Sequence, residues 1–318
     1  MKRLCLFLLM ISAAYSSPLA QQSSEQQLNR LSILEQQGRF ADVIQPASHL
    51  INTDTLRGDQ LGRAQLILGI AYHQSGDLPG AKREYERAVY VLSQERADAK
   101  DYAAALDNFA RLYLDMGHPE LAMSMERHVL AICKKLQDHA AISRSDVTLA
   151  NLELNQGQRR KSQKFLSAAL LEGKQTSTLD DDFFATIAST QGWIAQLAND
   201  NATAISSYAR AVELWTRQHG QQHLLTGWGY MLLGRSYAQT GHHAIALDNM
   251  RKGLKILEKT ASATDPKYLA AELAYSQELD QAGEHVEASR IKTAAEQGLK
   301  NLPGNRCISC QISVAALH

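Results

Sequence analysis

Cys307 and Cys310 stand three positions apart near the end of the chain, and a Cys-x-x-Cys pair supports three chemistries. In an oxidising compartment two such thiols close a local disulfide, and that is the leading reading. The alternatives are a thiol–disulfide redox pair, and a zinc site with His318 as a third ligand. A redox pair needs its first thiol at a helix N-terminus, where the dipole favours the thiolate. Here Ile312, Val314 and Ala316 alternate with Gln311, Ser313 and Ala315, which is strand-like spacing, and a fourth zinc ligand is lacking. Cys133 falls among apolar positions and reads as a small core residue.

The 11 histidines are scattered. His219 and His223 have helical spacing but fall in a polar connector with no carboxylate or cysteine close by in sequence, and His242 and His243 follow a turn glycine. Neither pair predicts a metal site. The chain carries no glycine-rich phosphate loop, no His-Glu-x-x-His and no Gly-x-Ser-x-Gly. The expectation is a protein that holds no metal or cofactor and catalyses nothing.

What must position any functional side chain is therefore the scaffold. At 318 residues the chain exceeds one ordinary core, so two domains or one elongated repeat array are expected. Hydrophobic residues make up 45%, and only 6 prolines interrupt a sequence rich in Ala, Leu and Gln, which predicts an all-α protein. Lys and Arg together number 33, as do Asp and Glu, so the basic excess that nucleic acid or an anionic membrane surface requires is missing.

Lys2 and Arg3, an apolar run from Leu4 to Ala14, and Ser16, Ser17, Pro18, Leu19 and Ala20 before the polar Gln21 have the layout of a secretory signal peptide. The apolar run is shorter than the roughly 20 residues that span a bilayer. Residues 1–20 are thus expected to be a signal peptide cut between 16 and 20, 21–300 the repeat array and 301–318 a Cys-x-x-Cys tail, in a secreted or periplasmic protein with no integral membrane span.

The array shows itself when the chain is compared with itself. One copy runs Leu68, Gly69, Tyr72, Gly76, Ala81, Tyr85, Ala88; another runs Leu233, Gly234, Tyr237, Gly241, Ala246, Met250, Gly253. Weaker aligned copies lie between them. Gly or Asn at 38, 76, 117, 157, 199, 241 and 283 marks a turn in every unit, at spacings of 38, 41, 40, 42, 42 and 42. Small residues let two helices approach, the large ones fill the space between pairs, and the turn residue ends the first helix in a left-handed conformation.

This pattern resembles the tetratricopeptide repeat, and the longer period resembles its kinesin light chain-like subclass. The resemblance implies an all-α, right-handed superhelical solenoid of about seven helix-turn-helix repeats whose first helices line a concave, partner-binding face. Helical spacing opposite the small and aromatic slots places Arg63, Leu66, Ile70, His73, Asp107, Arg111, Arg144, Val147, Asn151, Asn155, Trp193, Gln196, Trp228, Met231, Arg235 and Gln239 on that face. Arg111, Arg144, Asn151, Asn155, Trp193, Trp228 and Arg235 form the candidate binding set. Amides pair with a bound backbone, arginine grips carboxylates and tryptophan packs on apolar side chains. The alternative is that Trp193 and Trp228 pack between repeats. The expected function is a non-catalytic scaffold or adaptor that binds a peptide or protein segment. The rivals are a redox protein using Cys307 and Cys310, and a structural subunit that self-associates through its tail.

Overall fold

Seven turns organise the chain. In the computed structural model, which describes residues 23–53, 56–94, 99–261 and 265–301, each turn joins two helices. The pairs are α1 (Ser24–Gln36) with α2 (Phe40–Asn52), α3 (Gly58–Gln74) with α4 (Leu78–Gln94), and α5 (Ala99–Asp115) with α6 (Pro119–Leu136). They continue as α7 (His139–Asn155) with α8 (Arg159–Gly173), α9 (Asp181–Leu197) with α10 (Asn201–His219), α11 (Leu224–Ala238) with α12 (His243–Thr260), and α13 (Pro266–Gln281) with α14 (His285–Lys300). Among the described residues there is no strand, and no helix is long and apolar enough to cross a membrane. The signal peptide and the tail with Cys307 and Cys310 lie outside the described residues.

The turn residues read from sequence all adopt the left-handed conformation: Gly38, Gly76, Gly117, Gly157, Gly241 and Gly283 have φ between 71° and 86°, and Asn199 has φ 58°. One residue later the backbone N–H reaches the carbonyl five positions back, as in Asp77 to Tyr72 at 2.9 Å, His118 to Tyr113 at 2.8 Å and Asp200 to Ala195 at 2.9 Å. This bond satisfies a carbonyl that the end of the helix leaves bare, and it reverses the chain onto its partner helix.

The chain divides into two compact units, Met1–Asp101 and Tyr102–His318. In the first, Leu28, Leu31, Val43, Leu50, Ile67 and Leu68 build a core between α1, α2 and α3. In the second, the core runs from α7 to α14 through Leu154, Leu166, Ile187, Tyr208, Met231, Met250, Leu279 and Ala288. Close approach inside a pair depends on the small slot: a Cβ on Gly192 would stand 2.8 Å from the Tyr208 ring, and one on Gly69 2.6 Å from that of Tyr85.

The connectors are shorter than the polar stretches suggest. Helix α10 runs through His219, so that residue belongs to the helix and not to the polar connector expected there. Contacts with α9 hold this end: Arg217 pairs with Asp181, and the Trp215 indole N–H donates to Asp182 at 3.0 Å.

Candidate functional site

The repeat register fixes where the candidate residues sit. Arg111, Asn151, Trp193 and Arg235 each stand six positions before the turn of their unit, one on each of α5, α7, α9 and α11. Arg144 and Trp228 stand thirteen before, and Asn155 two before. All seven belong to the second unit and to its first helices.

Four of the polar members are held by specific partners. Asn151 Oδ1 and the Thr186 carbonyl, at 2.8 and 2.9 Å, share the single proton of the Thr190 hydroxyl of α9, and the two N–H groups of the Asn151 amide are left to other acceptors. The Asn155 amide N–H donates to the Asn151 carbonyl at 3.1 Å, one turn back on α7. Arg144 stands 5.9 Å over the Phe183 ring and 4.0 Å from Asp180, the residue that caps α9. Arg111 pairs with Asp107 at 3.0 Å and stays 58% exposed.

The tryptophans are different. Trp193 is 3% exposed and Trp228 7%, and both belong to the core cluster of the unit. The expectation that they stand open as aromatic anchors is corrected: two large apolar rings at this level are covered by the neighbouring helices, because burying that area is worth more than holding it in a wet groove.

Around Trp193 lies a polar set. Gln196 is one turn further along α9, only 7% exposed, and its Oε1 accepts the Tyr208 hydroxyl at 3.2 Å. Tyr208 is fully buried, and burial pushes its phenol pKa up. Arg235 of α11 lies near that phenol, half-buried, and its pKa is drawn down chiefly by burial.

A second polar cluster escapes the repeat reading. The slot four residues after the small one holds Tyr85, Leu166, Tyr208 and Met250 in α4, α8, α10 and α12, but in α6 it holds Glu126, which is 0% exposed. Glu126 Oε1 accepts the Ser145 hydroxyl at 2.5 Å. Burial, and after it the negative charge of Asp107, pushes its pKa up to about 8. The sequence signal was a carboxyl in a slot that four other repeats fill with a large apolar or aromatic side chain. Of the other buried carboxylates, Glu153 meets Arg127 at 3.2 Å and Lys161 at 3.6 Å, and Glu278 meets the His243 ring at 2.7 Å.

Two further expectations meet the structure. His219 does have a carboxylate neighbour, Asp182 at 3.0 Å, brought in by the packing of α10 on α9, and its ring stacks on His223 with centroids 4.2 Å apart. Among the described residues no group of three or more His, Cys, Asp or Glu is arranged to hold a metal ion. Cys133 is a buried free thiol whose pKa is pushed up to about 11, first by burial, which keeps it protonated and unreactive.

Comparison with known proteins bears on the scaffold. A family model described as "Tetratricopeptide repeat" matches residues 60–135 and 183–259. No curated protein matches the sequence. The solved structure of NprR in complex with its cognate peptide NprX is similar, with a TM-score of 0.68 at 14% identity, over 89% of this chain and 78% of that one. A Rap protein complexed with Competence and Sporulation Factor gives 0.65 at 11% identity, over 87% and 77%. BtubC (BKLC) from P. vanneervenii gives 0.52 at 17% identity, over 75% and 92%. At these identities the likeness is one of fold. A period marked by left-handed turn residues, the same chain reversal in each unit and a family match in two separate stretches converge, and the chain folds as a solenoid of tetratricopeptide repeats.

Proposed function

We propose that the second unit is a scaffold that binds an extended peptide or protein segment along its first helices, without catalysing a reaction. The observation that carries this reading is the row at one level of the repeat, Arg111, Asn151 and Arg235, where Asn151 is fixed by Thr190 with its N–H groups still to spend. A side chain oriented before binding loses little freedom on contact, so its hydrogen bond contributes more to affinity. The peptide-bound NprR structure supports the reading, since a similar fold holds a peptide there.

The test is affinity selection from a randomised decapeptide pool by the purified chain. The reading expects retained peptides, and weakening of their binding by about tenfold in Asn151→Ala, the size of one lost interfacial hydrogen bond. Retention that Asn151→Ala and Arg111→Ala leave unchanged would move the working surface elsewhere.

The N-terminal layout of Lys2, Arg3 and the apolar run supports a secreted or periplasmic location. Export predicts a mature N-terminus between residues 17 and 21. N-terminal sequencing of the protein from a cell fraction decides it, and an intact Met1 in a soluble intracellular fraction would refute export.

A further inference from the structure

Helix α7 carries two buried carboxylates seven residues apart, Asp146 at 4% exposure and Glu153 at 2%. That spacing puts them on one side of the helix, two turns from each other. Glu153 is clasped from both neighbouring second helices, by Arg127 of α6 at 3.2 Å and by Lys161 of α8 at 3.6 Å. Asp146 is not. Among the described residues no hydrogen bond or ion pair reaches its carboxylate, although Lys134 acts on it from beyond ion-pair distance. Burial pushes its pKa up to about 6, with Lys134 drawing it down and Glu172 adding to the rise. A buried carboxylate left in this way gains most from a cation that arrives from outside.

The difference between the two levels lies in α8. Both flanking helices run opposite to α7, so a step of seven residues back along α7 matches a step of seven forward along each of them. Arg127 is then replaced by Lys134, and Lys161 by Ala168. Where Glu153 has a lysine from α8, Asp146 has an alanine, and at that level lies a groove of about 330 Å³ lined by Asp146, Lys134 and Ala168. Its size is at the small end of ligand pockets. Leu130 and the half-buried Phe165 add an apolar wall, and Lys164 adds a second exposed ammonium. Of the other charged groups that line it, Lys161 is held by Glu153, and Glu172 by the His139 ring at 2.8 Å. Among the described residues neither Lys134 nor Lys164 has an ion pair.

We propose that this groove between α6 and α8 binds a free α-amino acid with an apolar side chain. Its ammonium pairs with Asp146 in the place that Lys161 takes at Glu153, its carboxylate meets Lys134 and Lys164, and its side chain packs on Leu130 and Phe165. A simple cation would lie against two lysines, and a simple anion would face the buried Asp146, whereas a molecule with both charges on one carbon satisfies each and brings no net charge. The groove shares no residue with the peptide-binding set, so its test is independent of that reading.

The experiment is equilibrium dialysis of the purified full chain against radiolabelled leucine, isoleucine, valine, methionine and phenylalanine in turn, at up to millimolar concentration. The expected result is saturable binding of at least one of them. Its amide, which lacks the carboxylate and stands in for a peptide N-terminus, and its N-acetyl derivative, which lacks the ammonium, should each compete at least about tenfold more weakly than the unlabelled amino acid, as the loss of a charge-assisted contact implies. Asp146→Asn should weaken binding by at least about tenfold. Ala168→Lys, which supplies Asp146 with the cation that Lys161 gives to Glu153, should abolish it, and it keeps the test readable if Asp146→Asn fails to fold. No saturable binding of any of the five overturns the proposal. So does an amide that competes as well as the amino acid, or binding that survives both substitutions.

Discussion

Glu126 occupies a slot that four other repeats give to tyrosine, leucine or methionine, and burial there favours its protonated form. A carboxyl whose folded pKa is about 8, above its ordinary 4.5, favours the folded state fully below 4.5 and progressively less as the pH climbs towards 8. The chain is therefore expected to be more stable near pH 5 than near pH 9. Glu126→Gln, which keeps the shape and a donor without the charge, should flatten that dependence and stabilise the protein at pH 9 by roughly 1–3 kcal/mol. Urea melts of both proteins at the two pH values measure this; a variant that is no more stable at pH 9 would mean that Glu126 is ionised in the fold. The tryptophans belong to the same scale. Trp228→Ala should cost about 3–5 kcal/mol, as large-to-small changes in a core do, whereas Asn151→Ala should cost little stability. Thermal unfolding separates the two, and a Trp228→Ala protein as stable as the parent would return that ring to the groove.

At the scale of the element, the turns carry the architecture. Gly241 has φ 76° with open space around the position of a Cβ, so alanine there meets no clash and pays only for the left-handed backbone. Gly241→Ala should cost about 1–2 kcal/mol, and Asn199→Gly should be neutral or slightly stabilising. Denaturant midpoints check both. This is also the scale at which the sequence was most legible. A left-handed turn admits few residue types, so Gly and Asn at fixed spacing disclosed all seven helix pairs. The small and large slots disclosed which faces pack. The site was legible only in part, since helical spacing gives the direction of a side chain but not how closely the next repeat covers it. Trp193 and Trp228 point along the predicted face and are nevertheless buried. The tie between Asn151 and Thr190 spans 39 residues, and the carboxylate beside His219 comes from the preceding helix. Such contacts depend on how repeats stack, which no single repeat records.

At the scale of the molecule, two units each have an apolar core of their own, and repeat stability is mostly a sum of neighbour contacts. Unfolding is therefore expected to depart from a single two-state transition, with hydrogen exchange reporting different opening free energies for the α1–α4 region and for α7 to α12. One shared value across both would contradict this. The proposed binding surface lies on the second unit alone. The measurement that tests this most directly is photo-crosslinking of a selected decapeptide carrying a photoreactive side chain, with the linked residues mapped by mass spectrometry. The account predicts links on α7, α9 and α11 near Asn151, Gln196 and Arg235, lost when unlabelled peptide is added in excess; links confined to the second helices α8, α10 and α12, or to the first unit, would contradict it.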